Sequence, residues 1–165
     1  MTSYSLPPTA DRTTTPAGLA VLPLLQTLRQ IATDPDLPLL LDLEHRERQW
    51  LELRSDADLQ VWLISWPTGT STGWHDHGLA SGAYTTLRGR LTEYTWEHGG
   101  PAAWDVGRGE SRAFAAGYIH DVRNETDEPA VSLHAYSPRL TTMTRYAPGR
   151  GRLEAVGVEQ AGVQW

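Results

Sequence analysis

The chain predicts a mainly β fold, a small barrel or jelly roll preceded by one or two helices, and three features of its 165 residues predict it. From about Gln49 onward, short apolar or alternating runs recur at even spacing between Gly, Pro, Asp and Asn. Between Ala17 and about Thr33, the residues Leu19, Leu22, Leu25, Leu28 and Ile31 return every third position, as on one face of an amphipathic helix. Glycines also stand at set intervals around a His-x-His doublet, which suits tight turns flanking a strand.

In chain order, residues 1–16 are polar, Pro-punctuated and rich in Thr, and read as a flexible arm without assigned function. Residues 17–165 read as one domain. Pro23 falls near the first turns of the helix, and Asp34-Pro35-Asp36 ends it. The apolar run Leu37 to Leu43 predicts a second short helix. Strands are expected at Trp50 to Leu53, Leu59 to Trp66, Ala83 to Leu87, Leu91 to Trp96, Arg112 to Ala115, Ile119 to Arg123, Ala130 to Tyr136 and Met143 to Tyr146. Gly99-Gly100-Pro101 and Asp105 to Gly109 read as hairpin loops, and the Gly-rich end, Ala147 to Trp165, as a tail of unassigned role.

Composition narrows the function. The length and 39% hydrophobic content suffice for one core. A formal charge of -6 with scattered basic residues argues against a nucleic-acid surface. No run approaches the length of a membrane span, and Met1-Thr2-Ser3-Tyr4 lacks the regions of a signal peptide, so a cytoplasmic protein is expected, read here as a monomer. With no cysteine, any metal must be held by nitrogen and oxygen.

Trp74-His75-Asp76-His77-Gly78 carries the strongest chemical signal. On an extended segment residues i and i+2 face the same way, so His75 and His77 can grip one metal ion. Of the other histidines, His45 and His98 sit in polar surroundings and read as solvent-facing, which leaves His120 and His134 as further inward candidates. Ser132, His134 and Tyr136 share one strand face, and hydroxyl, imidazole and phenol can form a hydrogen-bonded row.

Gly69, His75, His77, Gly82 and Gly89, followed by Gly109, Ala115, Gly117, His120 and Asn124, resemble the two motifs of the cupin superfamily. Gly82 stands where that pattern usually has a Glu ligand, and Ala115 where it has Pro. The resemblance therefore implies a cupin-type barrel with a three-histidine site, His75, His77 and His120, and open coordination positions.

Adding Ser65-Trp66-Pro67-Thr68-Gly69, Ile119 to Asn124 and Ser132 to Pro138, the chain over roughly residues 40–147 is similar to the cysteine dioxygenase (thiol dioxygenase) family, bacterial type. That similarity implies one Fe(II) per chain on the three histidines. A small thiol and O2 would be the substrates, and both oxygen atoms would go to sulfur to give a sulfinate without an external reductant. It also implies an active-site role for Tyr136, with His134 and Ser132 behind it, and a cis bond at Ser137-Pro138. The cysteine that is cross-linked to this tyrosine in mammalian members is matched by Gly82. Substrate choice turns on adjacent residues. An arginine that binds the carboxylate of cysteine would be Arg48, and a glutamine characteristic of 3-mercaptopropionate dioxygenases would be Gln49. Arg48 is favoured, because a guanidinium can hold a carboxylate by two parallel hydrogen bonds. A non-catalytic ligand-binding cupin and a zinc hydrolase or isomerase remain as alternatives, since imidazoles also accept zinc, nickel or copper.

Overall fold

The computed structural model describes residues 17–160; the arm expected over 1–16 and the last five residues of the tail lie outside them. One helix, α1 (Ala17–Ile31), and a four-residue 3-10 turn, Leu37–Leu40, precede ten strands. The second helix expected up to Leu43 is thus a single short turn, because Pro38 at its start and the extended Leu41 at its end limit it. The strands are β1 (Trp50–Ser55), β2 (Gln60–Trp66), β3 (Ser81–Arg88), β4 (Arg90–Glu97), β5 (Gly100–Gly107), β6 (Ser111–Phe114), β7 (His120–Arg123), β8 (Ala130–Ser137), β9 (Thr142–Pro148) and β10 (Leu153–Gln160).

Two of these strands correct the sequence reading. The two stretches read as hairpin loops, Gly99 to Pro101 and Asp105 to Gly109, fall largely within β5, and part of the tail left unassigned is β10. Both are largely exposed edge strands, so they lack the apolar alternation that marks a half-buried strand. Register, not hydrophobicity, defines them: β5 pairs along its whole length with β4, from Arg90 opposite Gly107 to Glu97 opposite Gly100.

The sheets are antiparallel. One has the order β1-β2-β8-β3-β6, and the smaller ones are β5-β4-β7 and β10-β9. Residues 71–76 stitch the smaller pair together. Thr72 N and His75 N donate to Val122 O and His120 O, each at 2.9 Å, while Asp76 N donates to Thr144 O at 3.0 Å and Tyr146 N to Trp74 O at 2.9 Å. The result is a two-layered, open cupin fold.

The five-stranded sheet is buried on both faces, which explains why every residue of β2 is buried. Val61, Leu63, Val131, Leu133 and Ala135 pack outward against Leu24 and Leu28 of α1. Alternate residues, Trp62, Ile64, Trp66, Tyr84 and Tyr136, point inward and meet Leu91, Val106, Phe114 and Val122 of the opposite layer. The Ser137–Pro138 peptide is cis, as the resemblance implies. Among the described residues no helix is long and apolar enough to cross a membrane.

Candidate metal centre

The ligand segment is extended, and its middle residue locks it. Asp76, between the two histidines, faces β9, where its carboxylate accepts from Gly78 N (2.9 Å), Thr144 N (3.1 Å) and the Tyr146 hydroxyl (2.7 Å). Burial would raise its pKa, but these hydrogen bonds outweigh burial and hold it below the usual carboxylate value. With Asp76 tied outward, His75 and His77 must face inward. Gly78 ends the segment at φ 56°, and a Cβ there would lie 2.8 Å from Thr142 Oγ1, so glycine is needed for both conformation and space.

His75, His77 and His120 are all buried and converge: their candidate ligand atoms lie within 4.8 Å of one another. His75 Nδ1 is 2.8 Å from Gly73 O, and His120 Nδ1 is 2.6 Å from Glu93 Oε1. Each Nδ1 is therefore assigned the proton, leaving the Nε2 lone pair for the interior. The Nε2 atoms of His75 and His77 are 3.2 Å apart. Two nitrogens bound at right angles about 2.1 Å from one ion would lie about 3.0 Å apart. This donor set fits a single transition-metal ion held by three imidazoles. Burial first, then neighbouring positive charge, pushes the pKa values of His75 and His77 well down, so both stay neutral and able to ligate.

Along β8, every second side chain points at this centre. Trp66 Nε1 donates to Ser132 Oγ at 2.7 Å, Ser132 Oγ lies 2.7 Å from His134 Nε2, and His134 Nδ1 lies 3.2 Å from the Tyr136 hydroxyl. An indole can only donate, so Ser132 Oγ accepts from Trp66. We assign the Ser132 hydrogen to His134 Nε2, which places the proton of the neutral imidazole on Nδ1, facing the Tyr136 oxygen. The phenolic hydrogen of Tyr136 is then free for a group in the cavity. Burial is the main cause that lowers the His134 pKa to about 3, and burial raises that of Tyr136.

Arg48, His75, His77, His120, His134, Tyr136 and Arg145 all line one small internal cavity of about 30 Å³. The Arg48 guanidinium lies 5.1 Å over the Trp66 ring, and among the described residues no carboxylate pairs with it; burial and then Arg145 lower its pKa. Gln49 does not line this cavity. Its side-chain oxygen accepts from Asp42 N at 3.1 Å, while its backbone exchanges hydrogen bonds with Ser65. His45 and His98 are exposed.

Sequence reasoning missed four neighbours of the site. Glu93 is completely buried and joins His120 to Arg112, the latter at 2.5 Å. Burial would raise its pKa, yet the hydrogen bonds and charges of His120 and Arg112 hold it below the carboxylate norm. Its signal is parity, since Glu93 shares a strand face with the buried Leu91. Arg145 reaches the cavity from β9 but is occupied by Glu159 and Thr72 O, each at 2.8 Å. Phe114 stacks on His77 with ring centroids 4.8 Å apart and fills the space beside Gly82, where a Cβ would come within 2.3 Å of the ring.

Residues 21–148 match the cysteine dioxygenase type I family. Solved structures share the fold. A protein from Thermus thermophilus is 24% identical, with 63% of this chain and 95% of that one covered at a TM-score of 0.54. A conserved protein with a double-stranded β-helix domain from Klebsiella pneumoniae is 14% identical, covering 76% and 93% at 0.54. A cupin 2 conserved barrel domain protein from Leptotrichia buccalis is 22% identical, covering 61% and 45% at 0.53.

Proposed function

We propose that this chain, which belongs to the cysteine dioxygenase type I family, adds both atoms of O2 to the sulfur of a small carboxylate-bearing thiol, L-cysteine being the favoured substrate. The convergence of three imidazoles, a phenol and a guanidinium without a carboxylate partner among the described residues in one cavity carries this reading. The overall change, RSH + O2 to RSO2H, balances in atoms and electrons without a reductant. One Fe(II) on His75, His77 and His120 would supply the redox chemistry and the meeting place for sulfur and O2.

The chain's own groups would do the rest. Arg48, the cavity's cation without an acidic partner among the described residues, would take the substrate carboxylate through two parallel hydrogen bonds. That anchors a short thiol with its sulfur toward the histidines and converts the encounter into an intramolecular one. Tyr136 would donate its hydrogen to the reacting groups. His134 and Ser132 would hold the phenol's direction without exchanging protons near neutral pH, because His134 stays neutral. The apolar walls Trp62, Ile64, Val122 and Met143 would exclude water.

Support for cysteine over 3-mercaptopropionate comes from the neighbouring pair: Arg48 lines the cavity, whereas Gln49 is engaged by Asp42. Oxygen uptake by anaerobically iron-loaded protein, measured with each thiol, tests the reading. The expected result is one O2 consumed per thiol with a sulfinate product, faster with cysteine, and a KM for cysteine raised about tenfold or more in Arg48→Gln, equivalent to about 1.4 kcal/mol. Iron-loaded protein that consumes no oxygen with either thiol would overturn it.

A further inference from the structure

The three imidazoles are not equivalent. His75 gives its Nδ1 proton to a neutral carbonyl, Gly73 O. The Nδ1 of His77 is buried without a hydrogen-bond partner among the described residues. His120 alone faces a carboxylate, and that carboxylate is the entirely buried Glu93.

A buried carboxylate needs a countercharge, and here it has one on its other oxygen. Arg112 Nε meets Glu93 Oε2, while the Arg112 guanidinium stands 5.8 Å from the Trp104 ring. The row Arg112–Glu93–His120 therefore runs from the half-exposed rim of the β4/β6 side to the centre of the cavity. Glu93 and His120 belong to the three-stranded sheet, whereas the Ser132–His134–Tyr136 row lies on β8 of the five-stranded one, and the function proposed above makes no use of Glu93 or Arg112. Phe114 and Tyr118 pack edge-on to the His120 ring, at 4.9 and 5.5 Å between centroids, so that ring has little freedom apart from the direction Glu93 gives it.

We propose that Glu93 is a positioning residue for the metal centre: held by Arg112, its carboxylate fixes the tautomer and orientation of His120 and makes this imidazole the strongest of the three donors. A negative acceptor on Nδ1–H increases electron density at Nε2, so a bound metal ion is held more tightly and its oxidised state is favoured. His120 thereby anchors the ion, while His77, lacking such an acceptor, is the weakest donor. The proposal rests on the three-histidine site but not on the identity of the thiol.

The test compares wild type with Glu93→Gln, which keeps size and an acceptor oxygen but removes the charge. Fe(II) retention against a competing chelator and the midpoint potential of the iron-loaded protein are measured without substrate. Loss of the supporting carboxylate is expected to weaken iron binding about 10- to 100-fold and to move the potential positive. Arg112→Met should shift both readouts in the same direction, and Arg112→Lys should restore part of the loss. Unchanged melting of the metal-free variants would separate donor tuning from damaged packing. If Glu93→Gln does not fold, the Arg112 variants decide, since that side chain is 36% exposed. A wild type that holds iron while Glu93→Gln and Arg112→Met match it within twofold, with the same potential, overturns this proposal alone. A wild type that takes up no iron overturns the three-histidine site and this proposal together.

Discussion

The two faces of the five-stranded sheet are made by the same strands, often by adjacent residues, yet they are built for different ends. Outward, Leu133 and its neighbours Val131 and Ala135 make only apolar contact with α1. Inward, Ser132, His134 and Tyr136, one position along in each case, form a hydrogen-bonded row. Because strand parity separates the faces completely, stability and chemistry can be altered almost independently. The helix is what makes this possible: by covering the outer face it supplies apolar burial that the polar inner face cannot.

The largest break in that separation should come from the ligands. His75→Ala is expected to abolish both iron binding and oxygen uptake, because two imidazoles remain and the lost one sits at the crossing of β7 and β9; metal analysis and oxygen consumption check this. On the other face, Leu133→Ala should cost about 2–5 kcal/mol of unfolding free energy. Iron content and turnover per folded molecule should stay unchanged, and denaturant unfolding beside an activity assay would reveal any leak between the faces. Tyr136→Phe should retain iron while lowering kcat about 10- to 100-fold, equivalent to one lost charge-assisted hydrogen bond. Full oxygen uptake by that variant would show that the inner row does not reach the reaction.

The smallest effect is acid sensitivity. His134 has a folded pKa of about 3, far below the ordinary 6.5, so between these values the unfolded chain binds a proton that the native protein does not. Stability is therefore at its full value above pH 6.5. It falls as the pH drops, by about 1.4 kcal/mol per unit for this residue. Unfolding of metal-free protein at pH 7 and 5.5 measures the slope, and His134→Gln should reduce it by about 1.4 kcal/mol per pH unit, leaving the contributions of His75 and His77, whose pKa values are also lowered.

Much of this was legible in the sequence because it follows period and spacing. The leucine repeat gave α1, short apolar or alternating runs gave β2, β3, β4 and β8, and the His75/His77 doublet with His120 gave the set of histidines that the structure brings together. What escaped lacks those signals. β5 and β10 lie at sheet edges, β5 with half of its residues exposed and β10 with nearly all, so their existence depends on pairing with β4 and β9. Glu93 sits in an ordinary-looking Thr92-Glu93-Tyr94-Thr95 run, and only the topology that lays β4 beside β7 sets it against His120. The choice between Arg48 and Gln49 was a question of which neighbour turns inward, and the hydrogen bond from Asp42 N to Gln49 bears on it.

The close fit of Phe114 over Gly82 constrains how this centre can change. With an aromatic carbon only 2.3 Å from where any β-carbon at position 82 would stand, the ring already occupies the volume that a sulfur-bearing side chain would need beside Tyr136. A tyrosine-linked thioether is thus barred to a single substitution. Acquiring one would require shrinking residue 114 in the same step, and with it giving up the stacked partner of His77.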